Sequence, residues 1–520
     1  DFLGLRTVDV IYDTLELINK DYQYIAPHNL NFHDDRVWDN FRNGFTSGIF
    51  QFESSGMKDT LKKIDCSNAD DLATANALFR PGSLKFIDNY ANRKKGTEDI
   101  TYIHEDLKPI LKNSYGIIVF QEQLIEIGRL AKLSNPDKLR KATGKKNPKL
   151  LAEIQPELYK GLSDRGWTQE QLDNLWETML DFAKYSFNKS HAAAYAIIAY
   201  ICMFLKTYHS KEFISSWINS VSNKTEKVAE CAEEAKRMTI PMYLGKYNNC
   251  SPITKVYNNG IMVGTNTIKF CNKDIADELL YISENKYGSF VDLLDAIMTT
   301  SINTKQLNIL TGLNFFSDFG KNKRLLRIIE LYNGIEEKDP VTKKNKKLLP
   351  PLRTCKQIKK DKLDKYAEYG LTEYLLQKYS GKETAKQYSQ IDNVGLLNEL
   401  IGRLPDEQMS IQDYVKFEME HLGYVAYTNP DMADCYYIVT DFTQHKDASR
   451  PYFTLYNLKT GESIKTKIRQ GKVYKESPFG LYSVLDIRGF TYRYKSKLVN
   501  GEWLQTTELE PVLETYEVIK

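Results

Sequence analysis

The longest uninterrupted apolar pattern in the chain runs from Ala192 to Leu205, 14 residues that all suit a helix. It follows Phe187-Asn188-Lys189-Ser190-His191, and Ser190 stands where a helix N-cap belongs. A bilayer span needs about 20 residues, so the run predicts a helix buried inside a folded domain. Its mouth carries Asn188, Lys189 and His191. Free backbone N–H groups, the positive end of the helix dipole and a lysine together form a site for an anion, a phosphate first of all. The same residues also suit a capped core helix with a solvated lysine in front.

Other periodic segments surround this one. Val10, Ile11, Leu15, Leu17 and Ile18 have helical spacing. A helix starts near Ser54 or Ser55. Another covers 70–84, with Leu72, Ala75, Ala77, Leu78 and Phe79 inside, and Pro81-Gly82 stops it. Arg80 is held at that break, either projecting into a cleft or closing the helix C-terminus. A strand-like run, Ile117 to Phe120, feeds Gln121-Glu122-Gln123 and a further helix. Those polar residues suit an amide-lined pocket or an ordinary helix start. Residues 139–150 gather Arg140, Lys141, Lys145, Lys146 and Lys149 around a glycine and a proline. That cluster is either a solvated loop or a contact for phosphate or nucleic acid. Residues 168–184 form another amphipathic helix.

The texture changes after about residue 225. Helices and short strands lead to 338–365, where eleven Lys/Arg stand against three Asp beside Pro350-Pro351. This stretch is expected to be a linker or an exposed basic arm, followed by helix to about 426. From 434 onward, alternating aromatic and β-branched residues predict five or so strands in a small barrel, with turns at Lys459-Thr460-Gly461 and Asn500-Gly501. Tyr492, Arg493, Tyr494 and Lys495 interleave rings with cations, as single-strand binders do. A plain surface strand has the same pattern.

Composition limits the possibilities. The 520 residues are enough for three or four domains, and the net charge is only +3. A binder of polyanions must therefore concentrate its cations locally. The seven cysteines show no metal spacing, which argues for a reduced, cytoplasmic protein without zinc. The chain starts at Asp1 rather than Met, and is expected to be a fragment, a processed product or a truncated form.

Taken in order, GIFQFESSGM, ANALFRPGSL, YGIIVFQEQ, LRKATGKK and FNKSHAAAYA resemble the fingers domain of the bacterial C-family replicative DNA polymerases, the DNA polymerase III alpha subunits. DFLGLRT at the start resembles the end of that family's palm strand. FSDFGKNKRLL resembles the segment after its helix-hairpin-helix, and FEMEHLGYVAYTNP the lead into its OB-fold. The resemblance implies a multidomain, mainly α protein with a C-terminal all-β OB-type barrel. The implied order is the end of the palm and a connection at 1–46, fingers at 47–225 and a helical duplex- and clamp-associated domain with a degenerate helix-hairpin-helix at 226–335. A basic linker and helices at 336–430 and a single-strand-binding OB-fold at 431–520 complete it.

The resemblance further implies template-directed nucleotidyl transfer from a dNTP to a primer 3′-OH, with two Mg²⁺ ions held by palm aspartates. Asp1 matches the third of these, as catalytic residue and metal ligand. Arg80, Arg140, Lys141, Lys145, Lys146, Lys189 and His191 are the residues expected at the triphosphate, with Asn188. Gln121 and Glu122 are expected to line the nucleotide pocket, and Tyr115 or Tyr195 to stack near the nascent base pair. Lys321, Lys323 and Arg324, with Tyr492, Arg493, Tyr494 and Lys495, are the expected DNA contacts. Implied partners are primer–template DNA, dNTPs, an N-terminal polymerase half, and the sliding clamp with other replisome subunits. Two of the family's aspartates and its N-terminal PHP domain have no counterpart. Polymerisation is then expected only together with an N-terminal half, and the alternative is a non-catalytic DNA-binding subunit or inactive remnant. At 267–272, Thr-Ile-Lys-Phe-Cys-Asn replaces the family's glycine-rich hairpin, removing the freedom that lets backbone N–H groups approach a phosphate.

Overall fold

The computed structural model describes residues 5–144, 148–183, 187–338, 345–443, 451–468, 471–499 and 502–519. The chain divides into two compact units, residues 1–220 and 221–520.

The first unit is helical. It begins with α1 (Arg6–Leu17), α2 (Asp35–Arg42), α3 (Ser55–Ile64), α4 (Ala69–Leu78), α5 (Phe86–Lys94) and the single turn α6 (Lys108–Leu111). It continues with α7 (Gln121–Leu130), α8 (Pro136–Gly144), α9 (Pro148–Ser163), α10 (Gln169–Ala183), α11 (Lys189–Tyr208) and α12 (Ser210–Val221). Ser54 caps α3, its hydroxyl accepting from the Met57 N–H at 3.3 Å. Asn68 caps α4 by accepting from the Asp71 N–H at 2.9 Å. Helix α4 is buried from Asp71 to Leu78 and packs against α11. Both helices are alanine-rich, with Ala73, Ala75, Ala77, Ala192, Ala196 and Ala199 buried, so their backbones can approach closely. A separate core joins α7 to α10 around Leu124, Leu139, Leu158, Trp167 and Trp176. There α9 touches the end of α7 so tightly that a Cβ on Gly161 would lie 1.8 Å from the Ala131 carbonyl oxygen.

Helix α11 extends three residues beyond the apolar run at each end. At 20 residues it is long and apolar enough to cross a membrane by length and composition. Here it is a core helix. Lys206 is 1% exposed and donates to the carbonyls of Phe45 at 2.9 Å and Ser47 at 2.7 Å, a polar lock that a lipid-facing helix does not need.

The second unit starts with α13 (Thr225–Arg237) and a small sheet. In it β3 (Gly260–Val263) lies between a parallel β1 (Met242–Leu244) and an antiparallel β2 (Lys255–Tyr257). Helices α14 (Lys273–Ser283), α15 (Phe290–Ile297), α16 (Thr304–Gly312) and α17 (Asn322–Asn333) follow, capped by Asn272, Ser289 and Asn303 on the first three. The basic stretch is more than a linker. It carries a hairpin of β4 (Ile335–Lys338) and β5 (Asn345–Leu349). It then supplies β6 (Gln357–Lys359), which pairs with β8 (Gln387–Ile391) beside β7 (Ser380–Glu383). Leu352, Cys355 and Ile358 sink into the same core as α14 to α17. Their three-residue spacing is enough to anchor a segment whose other residues are mostly cations. After the turn α18 (Leu363–Tyr366) come α19 (Glu373–Tyr379), α20 (Asn393–Arg403) and α21 (Ile411–His421).

The chain then forms β9 (Tyr436–Thr443), β10 (Tyr452–Asn457), β11 (Ser463–Ile468), α22 (Gly471–Glu476), β12 (Val484–Val499) and β13 (Glu502–Ile519). The five strands pair in a closed cycle, β10-β11-β13-β12-β9. The β11–β13 contact is parallel and the others antiparallel. Phe453, Leu455, Leu485, Leu513 and Phe479 fill the interior.

Candidate functional site

The first unit brings the C-terminal end of α4 and the starts of α7 and α11 to one place. The joint is a bridge between Phe120 and Phe187, in which the Gln121 N–H donates to the Phe187 carbonyl at 2.8 Å. Two helix starts therefore leave a common point, and Glu122 meets Asn188 and Lys189. Gln123 turns inward. Its side-chain oxygen accepts from the N–H groups of Val119 and Phe120 at 2.8 and 2.9 Å, and its amide donates to Ser114 at 2.7 Å. Gln123 thus builds the joint, while Gln121 and Glu122 remain half-buried at its rim.

The mouth of α11 differs from the open cradle expected from its sequence. Asn188, not Ser190, is the cap: its side-chain oxygen accepts from the His191 N–H and from the Ser190 hydroxyl, both at 2.8 Å. The Glu122 carboxylate accepts from the Lys189 N–H at 2.8 Å and from the Asn188 amide at 2.9 Å. A carboxylate already sits at the positive end of the helix dipole, which is where one is stabilised. A phosphate arriving here must be held by side chains rather than by those two backbone groups.

Two cations are placed to do so. The Arg80 guanidinium lies 3.6 Å from the centre of the Phe187 ring, and burial lowers its pKa. Among the described residues its side chain has no hydrogen bond or ion pair. An arginine keeps its charge through such a shift, so a partly desolvated cation faces the joint without an anion. The Lys189 ammonium stands 5.8 Å from the Phe120 ring, on the other aromatic of the bridge. A row of rings continues from there. His191 packs edge-on to Phe187 at 5.5 Å and against Tyr195 at 4.3 Å, and Tyr195 meets Phe50 at 5.3 Å. Phe187 and Phe50 join the site from outside the set that the sequence points to. Phe187 has one signal there, a ring directly before the capping Asn188.

The structure therefore gathers Arg80, Gln121, Glu122, Asn188, Lys189, His191 and Tyr195. It does not bring Lys141 to them: that ammonium pairs with Asp137 one turn back on α8, at 3.0 Å. Asp1, Lys145, Lys146 and the Arg140 side chain lie outside the described residues. Tyr115 packs elsewhere, edge-on to Tyr90 at 5.1 Å, where burial raises its pKa. Tyr90 in turn donates to the buried Asp71 at 3.0 Å.

Of the cations expected to meet DNA at the start of α17, Lys323 and Arg324 have internal partners for their side chains, and Lys321 is engaged through its backbone N–H. Lys323 pairs with Glu407 at 2.7 Å. Arg324 donates to the Ile401 carbonyl at 3.3 Å, and the Lys321 N–H donates to the Asp406 carboxylate at 2.9 Å. On the β12–β13 ribbon Tyr492 and Tyr494 are 66% and 53% exposed and share one face with Pro511 and Leu509 across the ladder. Arg493 lies opposite Glu510 on the other face, and Lys495 pairs with Glu508 at 2.8 Å. The ribbon thus offers exposed rings, but Lys495 is already paired.

Mg²⁺ was expected through Asp1. Among the described residues no group of three His, Cys, Asp or Glu side chains is arranged to hold an ion. Asp1, the one ligand that the resemblance implies, lies outside the described residues.

Residues 7–166 match the family described as the bacterial DNA polymerase III alpha subunit finger domain. The DNA polymerase III subunit alpha of Campylobacter jejuni is 32% identical over 337 residues, 63% of this chain and 28% of that protein. The Borreliella burgdorferi subunit is 31% identical over 407 residues, 77% of this chain and 34% of that protein. The Aquifex aeolicus subunit is 33% identical over 378 residues, 70% of this chain and 32% of that protein. The matches thus cover about a third or less of each relative's length.

Proposed function

We propose, for a chain that belongs to the bacterial DNA polymerase III alpha-subunit family, that its first unit grips the triphosphate of an incoming dNTP during template-directed DNA synthesis in the bacterial cytoplasm. The observation that carries this reading is Arg80: a stacked, partly desolvated guanidinium with no anion among the described residues, beside Lys189. Guanidinium–phosphate bonds are charge-assisted and gain strength where water is thin. Arg80 and Lys189 bind phosphate oxygens from two sides of the Phe120–Phe187 bridge. Glu122 holds the Asn188 and Lys189 end of α11 in register. The row His191, Tyr195 and Phe50 offers flat surface to the sugar and base. In this reading the nucleotidyl transfer by two metal ions rests on carboxylates other than the described ones, including those of a separate N-terminal half. The second unit holds the primer–template duplex, and its closed barrel is an OB-type fold that takes the single-stranded template through Tyr492 and Tyr494. The clamp and other replisome subunits are the partners in the same reading.

The test needs no catalysis. A primer–template with a chain-terminated primer is titrated with the full chain, with and without the next dNTP. The complementary dNTP is expected to tighten the complex and a mismatched one is not, with the difference lost in Arg80→Ala. Equal binding with every nucleotide would leave a DNA-binding subunit without a nucleotide site.

A further inference from the structure

The second unit contains an acidic segment docked on the start of α17, where it takes the Lys323 ammonium and the backbone N–H groups of Lys321 and Arg324. Residues 405–409, Pro-Asp-Glu-Gln-Met, cross the start of α17. The Asp406 carboxylate accepts from the Lys321 N–H at 2.9 Å. The Glu407 carboxylate takes the Lys323 ammonium at 2.7 Å, and its carbonyl takes the Arg324 N–H at 3.3 Å. The Met409 N–H donates to the side chain of the buried Asn322 at 2.9 Å, which fixes the far end of the segment. Lys323 holds the Glu407 carboxyl below its ordinary pKa. Four successive residues, 321 to 324, thus each have a partner in this one short stretch. Helix α17 has no side-chain cap of its own at Lys321, so the N-cap N–H is met by Asp406 and the first-turn Arg324 N–H by the Glu407 carbonyl. Lys323, Glu407 and Asp406 all lie in solvent reach, where an ion pair is worth little and exchanges readily.

A carboxylate on a helix-start N–H and a second on the adjacent ammonium present the same charges to α17 as two consecutive phosphates would. We propose that Asp406 and Glu407 act as an internal stand-in for a nucleic-acid backbone, an autoinhibitory contact that duplex DNA must displace to reach the helix-start N–H groups of α17 and the Lys323 ammonium. This inference rests on the reading that the second unit binds primer–template DNA. The cost of displacement is small because exposed pairs are exchanged for phosphate contacts. The contact therefore sets a threshold: weakly held or short duplex leaves it closed, and well-engaged duplex opens it.

The experiment measures duplex affinity of the full chain against salt for wild type, Asp406→Asn/Glu407→Gln, Lys323→Ala and the triple variant. Asp413→Asn/Glu420→Gln removes the same charge from α21 nearby and reports the general field. The stand-in variant is expected to bind severalfold more tightly than both wild type and the α21 control. Its log K against log salt should steepen by about 1, for the one ammonium released, that of Lys323. Adding Lys323→Ala should abolish most of the gain. In hydrogen exchange, the Arg324 amide of wild type should change protection when duplex is added. A gain equal to that of the α21 control, with unchanged salt slope, would overturn the inference while leaving duplex binding intact. Failure of wild type and every variant to bind duplex at low salt would instead remove the functional reading, and the inference with it.

Discussion

Replacing Glu122 by glutamine changes one oxygen to an amide and tests the joint between α7 and α11. In the native chain the carboxylate accepts from the Lys189 N–H at 2.8 Å and the Asn188 amide at 2.9 Å. Glutamine keeps the shape but offers one acceptor in place of two, and its NH₂ must face one of two donors. Hydrogen bonds to a charged group contribute about 1.5–3 kcal/mol against about 0.5–1.5 for neutral ones. The favourable placement of a charge at the helix start adds about 0.3–1 kcal/mol. Glu122 is half-buried, so screening trims the total to about 1–3 kcal/mol. The loss is local, because the core faces of α4 and α11 do not depend on it. Native-state hydrogen exchange of the Lys189 amide reads it directly. Exchange is expected to quicken by about 5- to 150-fold, with amides of the buried middle of α11 unchanged. A Lys189 exchange rate within twofold of wild type would refute the view that Glu122 fixes this helix start.

Lys206→Met should cost the first unit about 1–3 kcal/mol, because the carbonyls of Phe45 and Ser47 lose the ammonium of a buried lysine; denaturant unfolding followed at Trp38 or Trp217 would show it, and an unchanged midpoint would contradict it. Burial raises the Glu418 carboxyl to about 7 against the opposing N–H groups of Ala426 and Tyr427. Its folded pKa lies above the ordinary value of 4.5. Folding therefore favours the protonated form, and this contribution is complete below about pH 4.5 and lost as pH rises through about 7. The loss is on the order of 3 kcal/mol. The melting temperature of the second unit relative to Glu418→Gln should fall between about pH 5 and pH 8, and parallel curves would dismiss the effect. Lys141→Ala, which removes an ammonium paired with Asp137, should leave dNTP affinity within a factor of about two, as measured by the nucleotide-dependent tightening on DNA.

Much of the architecture is legible in local pattern. Alternating aromatic and β-branched residues mark the barrel strands to within a few residues, since period-two burial is a property of neighbours along one strand. Ser54 and the Pro81-Gly82 stop are equally local. What escapes the sequence depends on distant partners. Asn188 and Ser190 both suit an N-cap, and the choice falls to Asn188 where Phe187 pairs with Phe120 and Glu122 arrives from 66 residues upstream. The same long-range carboxylate fills a helix mouth that local reading leaves open. Lys323 looks available until Glu407 is brought across from the segment after α20. The basic stretch hides Leu352 and Ile358 among its lysines, and only the core they enter shows that it is folded. In the candidate site, the residue types were readable but the platform on which Arg80 rests, Phe187, belongs to tertiary structure.

The central claim is that a nucleotide sits between Arg80 and the start of α11. Photo-crosslinking of a base-azido dNTP to the full chain on primer–template DNA, followed by peptide mapping, tests it most directly. The label should fall on peptides holding Phe50 and Phe187 to Tyr195, where the base lies, and unmodified dNTP should compete it away, with the labelling lost in Arg80→Ala. Competable label confined to α8, to the barrel, or to any surface away from the Phe120–Phe187 bridge would contradict the account.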